Sequence, residues 1–307
     1  MLNFIIRRLI VTIPMVLIVV TLTWGLIRMA PGNFYSSEKT LPPAVEKNIR
    51  ERYGLDKPWY VQYGKMMGSI LVGDFGYSLK YEGQSVNGIL ARSLPVSAIL
   101  GVSAYLLALI VGVVAGTLAA LKQNSRLDYG SMALAMLGIS LPNFVLGPIL
   151  VLIFSLTLYW LPPARWGSGF PSKNVILPIL TLSAIYMAYI ARLTRSGMLE
   201  VLRADYIRTA RAKGLTERDV VVRHAVRGGL MPVVSYTGPA LAFLITGTVV
   251  VERIFALPGL GNYFINANLN RDEPLIIGIV AFISIMILLF NLLVDIAYAF
   301  IDPRIRY

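Results

Sequence analysis

Six runs of about twenty mostly apolar residues, each long enough to cross a hydrocarbon layer about 30 Å thick, constrain this chain more than any other feature. They are Leu9–Met29, Val96–Leu121, Tyr129–Trp160, Val175–Leu193, Met231–Val251 and Leu275–Phe300. Only 14% of the 307 residues are charged, against about 25% in soluble domains. The expected class is an all-α integral membrane protein with six transmembrane helices. Pro142 interrupts the third run, which predicts a kink or tilt there. Arg7 and Arg8 precede the first run as in a signal peptide. Its apolar stretch is longer than a signal core and no small-residue cleavage site follows, so it reads as a retained helix.

The formal net charge of +12 would suggest nucleic acid in a soluble protein. In a membrane protein it first reports topology. With the N-terminus inside, the inner segments are 1–8, 122–128, 192–230 and 301–307. They hold 15 Lys+Arg against six acids, whereas the outer segments, counted with Arg28 at the outer end of the first run, hold 13 against nine. Most outer cations lie in the long connection 31–95, which translocates largely regardless of charge. Both termini are therefore expected in the cytoplasm and no nucleic-acid partner is expected. The expected organisation is 1–30 as N-terminus and first helix, 31–95 as an outer loop, and 96–307 as a membrane core containing an inner loop at 196–230.

In the outer loop, Pro42–Pro43 precede Val45, Ile49 and Tyr53 at four-residue spacing, and Gly54 follows. That predicts a short amphipathic helix. Its polar face is either solvated or a docking surface. In the second run Ala104, Ala108, Gly112, Gly116 and Ala120 recur every fourth residue. Small side chains on one face let another backbone approach, within the chain or from a second chain. Asn291 and Asp295 lie four apart in the last run. An intramembrane acid is costly, so Asp295 is either a proton or substrate site or a structural partner for a nearby group; one lone acid favours the structural reading.

The most informative stretch is Tyr206–Val226, "YIRTARAKGLTERDVVVRHAV", a basic segment between two apolar runs. Met198, Leu202, Tyr206 and Ala210 recur at i+4 with Leu199 and Ile207 beside them, predicting one amphipathic helix over Gly197–Lys213. Lys213 opposes the negative end of its dipole, and Gly214 supplies the left-handed corner. Thr216 and Asp219 stand at capping-box spacing and start a second helix through Glu217–Arg227 toward Gly228–Gly229. Positive-inside anchoring or binding of lipid head groups explains the cations but not the corner and the cap. A helix, a tight glycine turn and a second helix suit the cleft of another protein.

Catalysis finds little support. There is no GxxxxGK[ST], HExxH or GxSxG, and the sole histidine, His224 beside Arg223, reads as structural or solvated. The absence of cysteine excludes disulfides and thiolate metal sites. No metal or cofactor site is expected in this chain.

The segment "RTARAKGLTERDVVVRHA" resembles the cytoplasmic coupling loop of permease subunits in bacterial binding-protein-dependent ABC importers. That loop has a consensus of Glu-Ala-Ala, three residues, Gly, nine residues, Ile-x-Leu-Pro. Arg208, Thr209 and Ala210 fall at its Glu-Ala-Ala positions and Gly214 at its Gly. His224, Val226 and Arg227 fall at the Ile, Leu and Pro positions, with a proline only at Pro232. The general match is loose, and the match to the peptide-permease branch is close. "RMAPG", "TLPPAV", "RYGLDKPWYVQYG", "GDFGYS", "SVNGIL", "LPVSA", "LAALKQNS", "ALPGLGNYF" and "DPRIRY" extend it over the whole chain. The resemblance is to the B-type membrane subunit of oligopeptide or dipeptide importers, closer to the oligopeptide form in "LKYEGQSVNGIL".

The resemblance implies a type I ABC importer permease fold in the bacterial inner membrane. It implies a second homologous permease, two cytoplasmic ATPases that use ATP and Mg, and a periplasmic or lipid-anchored peptide-binding protein. It also implies alternating access, with Arg208, Thr209, Ala210, Arg211, Ala212, Lys213, Gly214, Leu215, Thr216 and Glu217 contacting the ATPases. Related machines carry nickel chelates, opines and antibiotic peptides. A self-sufficient carrier fits poorly, because the chain has no clear internal repeat and one intramembrane acid.

Overall fold

The computed structural model describes residues 2–29, 54, 56–163, 166, 172–245 and 249–301. The expected amphipathic helix after Pro42–Pro43 lies outside the described residues, apart from Gly54. Among the described residues there is no strand, and the single isolated bridge joins Tyr77 to Ser85.

Helix α1 spans Leu2–Met29. A second helix not foreseen from the sequence, α2 (Trp59–Leu71), follows it in the outer connection. Helix α3 (Val86–Leu121) is 36 residues long. It starts ten residues before the expected span, because the hydroxyl of Ser85 accepts the Gly88 N–H and caps it. Then come α4 (Arg126–Ser140), α5 (Asn143–Leu150) and a π-helical run, Val151–Thr157. The axes of Arg126–Ser140 and Asn143–Thr157 meet at 107°. The third run is thus a full break rather than a kink. Leu141 and Pro142 are both extended, as proline imposes on the residue before it.

Helix α6 (Ile176–Leu202) follows a 3-10 turn at Lys173–Val175. Beyond it are α7 (Asp205–Ala212), α8 (Glu217–Asp219), a π-helical run Val220–Ala225, and α9 (Val226–Gly229). The chain continues through α10 (Met231–Ile245), α11 (Val249–Ile254), α12 (Leu260–Asn270) and α13 (Glu273–Ile301). Four stretches are long and apolar enough to span alone: Val86–Leu121, Lys173–Leu202, Met231–Ile254 and Glu273–Ile296. The bent pair would make a fifth span, and α1 adds the apolar stretch Ile13–Met29.

The core forms where α3, α6 and α10 meet. Leu100, Ala104, Ala108, Leu177, Leu182, Ile190, Ala240 and Leu244 are buried there with Phe255 and Leu257. Small residues set the helix spacing. A Cβ on Gly112 would come within 2.8 Å of Ile190 Cγ2. One on Gly116 would overlap the Ala191 carbonyl, and one on Gly101 would lie 2.5 Å from the Leu244 carbonyl. The stripe Ala104, Ala108, Gly112, Gly116 and Ala120 is buried along its length, so this seam lies within the chain. Satellite clusters join α3 to α12 and α13, and α1 to α13.

Candidate functional site

The break between α6 and α7 determines the shape of the basic segment. Continuous helix over Gly197–Lys213 would put Tyr206 on the face of Met198 and Leu202. Instead Arg203 ends α6 and Ala204 is extended. Register shifts at that point. Ile207 becomes fully buried and Tyr206 is 49% exposed. Ile207 and Ala210 then join Ala120, Met198, Val220, Val221 and Ala225 in one apolar floor. The physical reason is burial: bending the chain brings α7 back under α6 and closes that floor against the end of α3.

The corner takes the form its residues dictate. Gly214 has φ +79°. The Gly214 N–H donates to Arg211 O at 2.9 Å and the Leu215 N–H to Ala210 O at 3.4 Å, the paired bonds of a Schellman ending. The Thr216 hydroxyl accepts the Asp219 N–H at 3.2 Å and donates to Asp219 Oδ2 at 2.7 Å. Arg211 crosses the corner as a fork, Nε to Glu217 Oε1 at 2.7 Å and Nη2 to Oε2 at 3.3 Å. Arg208 pairs with Asp205 and Arg223 with Asp219 on the surface. His224 sits half-buried with Nδ1 3.2 Å from Asp219 O, a structural position.

Every residue from Arg211 to Arg218 is exposed. Arg208 and Thr209 are exposed too, while Ala210 is buried in the floor. The result is a basic corner with a solvated rim and an apolar base. Its attachment to α6 is close-packed. A Cβ on Gly197 would overlap the Gly229 carbonyl, and one on Gly229 would lie 2.5 Å from Met198 Sδ. Nearby, Asp128 on α4 receives Arg195 of α6 in two bonds, 2.6 and 2.7 Å. It also accepts the Asn124 N–H at 3.0 Å. Displacing the corner therefore means moving α6, α9 and the start of α4 together.

Three further groups complete the polar map. Asn291 and Asp295 are half-buried on α13. Besides Asp128, two more buried acids were not singled out from the sequence. Glu252 of α11 accepts the Ser97 hydroxyl at 2.7 Å and the Gly261 N–H at 2.8 Å, while Ser97 Oγ accepts the Leu260 N–H at 2.8 Å. Together they satisfy the open N-terminus of α12. Asp272 accepts the Ser78 hydroxyl and the Leu79 N–H, the latter at 3.0 Å, tying the outer connection to the start of α13. Asp272 was legible: "DEP" places a capping acid before proline in a first helical turn. Glu252 carried no such signal, since its donors come from 155 and nine residues away.

Comparison with known proteins agrees with this architecture. The family model for the binding-protein-dependent transport system inner membrane component matches residues 112–307, and its N-terminal companion matches residues 1–100. The chain belongs to this family. It is 47% identical over 307 residues to the oligopeptide transport system permease protein OppB of Haemophilus influenzae, covering all of both chains. It is 48% identical to OppB of Escherichia coli K12, again over both whole chains. The dipeptide transport system permease protein DppB of Bacillus subtilis is 44% identical, over 100% of this chain and 98% of that one. Among solved structures, the inward-facing MetNI methionine ABC transporter shares the fold, with a TM-score of 0.57 at 15% identity. That likeness covers 70% of this chain and 96% of the other. This family member is therefore a multi-pass membrane protein, and its basic corner, formed by α7 and α8, meets the end of α6 through the shared apolar floor.

Proposed function

We propose that this chain is one of two membrane-spanning subunits of an ATP-driven importer of oligopeptides. The corner Arg208–Glu217 seats in a cleft of a companion ATPase, with the α7 end of the bundle and both termini in the cytoplasm. Six spans, counting α1 and the bent α4–α5 pair as one each, carry the chain across the inner membrane. The connection 31–95 lies outside, where a peptide-binding protein delivers cargo. A second homologous permease completes the pathway, and two ATPases supply ATP and Mg chemistry that this chain lacks motifs for.

The observation that carries this reading is mechanical. A solvated basic corner, held at a left-handed glycine, resting on the apolar floor it shares with Met198 and followed by α9 close-packed on α6 at Gly197–Gly229, is suited to pass a displacement into the bundle. Identity to the oligopeptide permeases, 47–48%, is higher than the 44% to the dipeptide permease, and that difference favours oligopeptide cargo. The half-buried position of Asp295 gives no added support to a proton-coupled carrier.

The test is reconstitution. The chain co-expressed with the products of its neighbouring genes is expected to purify with two ATPases and a second permease. Vesicles holding the complex should take up labelled tri- to pentapeptides only with ATP and binding protein, and should be indifferent to a protonophore. Uptake by this chain alone, abolished when the proton gradient collapses, would overturn the proposal.

A further inference from the structure

Arg28 and Glu273 set two helix ends at one level. The apolar stretch Ile13–Met29 closes α1 with Arg28 in its last turn, and the apolar stretch Glu273–Ile296 of α13 begins at Glu273. The Arg28 guanidinium lies 3.5 Å from the Glu273 carboxylate. That pair marks an edge of the hydrocarbon, on the side of the 31–95 connection. Aromatic rings gather at the same level, as they do at membrane surfaces. The ring of Trp24 stands 5.3 Å from that of Tyr63 and 6.5 Å from that of Trp59, and Trp59 stands 5.9 Å from Tyr60. Trp59 and Tyr60 are exposed on α2.

A cavity of about 470 Å³ opens here between α1, α2 and α13. Its base is apolar, with Met66, Ile70, Phe75 and Ile277. Its exposed rim carries Arg28, Lys57, Lys65 and Asp74. The two carboxylates on its walls are engaged: Glu273 faces Arg28, and Asp74 Oδ1 accepts the Gly76 N–H at 2.9 Å. Arg28 is engaged too, donating to Gln62 and lying over the Trp24 ring at 4.8 Å. Lys57 and Lys65 form no ion pair with a described residue. Their amines meet each other instead. The hydrogen bond with Lys57, and then its charge, hold the Lys65 ammonium below its usual pKa, and Asp56 opposes this more weakly. Two like charges crowded at one mouth are relieved by an anion between them.

We infer that this cavity holds the headgroup of a membrane phospholipid, its phosphate accepting hydrogen bonds from Lys57 and Lys65 and its glycerol resting on the apolar base. Charge-assisted bonds to phosphate are among the stronger ones available at such a rim. The cavity's level and its base select a lipid over other anions. A soluble phosphate would gain nothing from Met66, Ile70 and Ile277, and an acidic protein surface would meet the lysines and leave the base unfilled. The inference goes beyond the importer reading, since it needs only the membrane placement of α1 and α13.

The test uses the full-length chain with whatever companions co-purify, stripped of lipid in detergent and titrated under native mass spectrometry. The probes are dioleoyl phosphatidylglycerol, dioleoyl phosphatidylethanolamine, dioleoylglycerol, which has the chains without the phosphate, and glycerol 3-phosphate, which has the phosphate without the chains. Both phospholipids are expected to fill one retained site that dioleoylglycerol does not fill. The double variant Lys57→Ala/Lys65→Ala should need about tenfold more phospholipid to fill it. Lys57→Arg/Lys65→Arg should keep it, and Lys80→Ala, at an exposed lysine outside the cavity, should not change it. Without lipid the alanine variant should melt no lower than the unsubstituted chain, because both side chains are exposed. Added phosphatidylglycerol should raise the melting temperature only where the lysines remain. Equal retention by the unsubstituted chain and the alanine variant would overturn the inference, as would equal retention of dioleoylglycerol. Displacement of the lipid by comparable concentrations of glycerol 3-phosphate would assign the site to a soluble phosphate and overturn it as well. So would weaker docking of the peptide-binding protein to the alanine variant with lipid retention unchanged. Peptide uptake is not a readout, so failure of the importer reading is distinguishable from failure of this one.

Discussion

Gly214 carries the sharpest single-residue consequence. Its φ of +79° is a conformation that a β-branched residue adopts only with strain, about 1–2 kcal/mol. No other atom lies within 4 Å of a Cβ placed there, so the cost is backbone strain and not collision. Gly214→Val is expected to leave membrane insertion intact while reducing peptide uptake per ATP hydrolysed in reconstituted vesicles. Normal uptake and normal stimulated hydrolysis together would remove the corner from the mechanism. Glu252 makes a complementary prediction about stability. Glu252→Ala strands the Ser97 hydroxyl and the Gly261 N–H in a buried place. The loss should be about 3 kcal/mol or more, while Glu252→Gln keeps an acceptor and should lose much less. Fluorescence-monitored melting in detergent reads both. The corner was legible at this scale because glycine, threonine and aspartate act on their own backbone neighbours. Glu252 was not, because its donors arrive by tertiary folding.

Among elements, periodicity located most helices but not their breaks. Leu141–Pro142 announced the end of α4, since proline constrains its predecessor, though the 107° turn depends on what α5 packs against. The break at Arg203–Ala204 had no glycine or proline to signal it, and only burial of Ile207 beside Met198 accounts for it. Helix α2 was hidden because Pro58 caps it without a side-chain bond and none of its residues is fully buried. The small-residue stripe was readable in α3, but its partner became identifiable only with α6 in place. The clamp between α4 and α6 tests whether these elements act as one body. Asp128 is 2% exposed and Arg195 28% exposed at their side chains. Removing one partner of a largely buried pair leaves an uncompensated charge and costs about 3 kcal/mol. Asp128→Asn and Arg195→Gln should each lower the melting temperature, and the double variant should lose less than their sum. Arg195→Lys should rescue only in part, since an ammonium cannot form the two-bond fork. Additive losses would mean that the clamp does not join the two helices.

For the whole molecule, the distribution of polarity argues that the chain works covered on one side. The exposed residues of α3 from Val102 onward, and of α13 among the described residues, are apolar and at home in lipid, whereas the exposed Arg192, Ser196 and Glu200 of α6 and the basic corner lie at or near the end of the bundle from which α7 projects. A lone subunit would leave Arg192, Ser196 and Glu200 uncovered together with the basic corner. Partners that bind only the folded chain stabilise it by mass action, about 2.7 kcal/mol when they are present at a hundred times their dissociation constant. The chain co-purified with a second permease and two ATPases is therefore expected to melt several degrees above the same chain purified alone. That increment should shrink when Lys213 and Arg218, both exposed at the corner, are replaced together by glutamate, because those substitutions weaken docking and leave the fold untouched. The control is the melting temperature of the lone chain, which should be the same with and without the two substitutions. Equal melting temperatures for the lone chain and the complex would mean that the polar faces are satisfied within one subunit and need no covering partner.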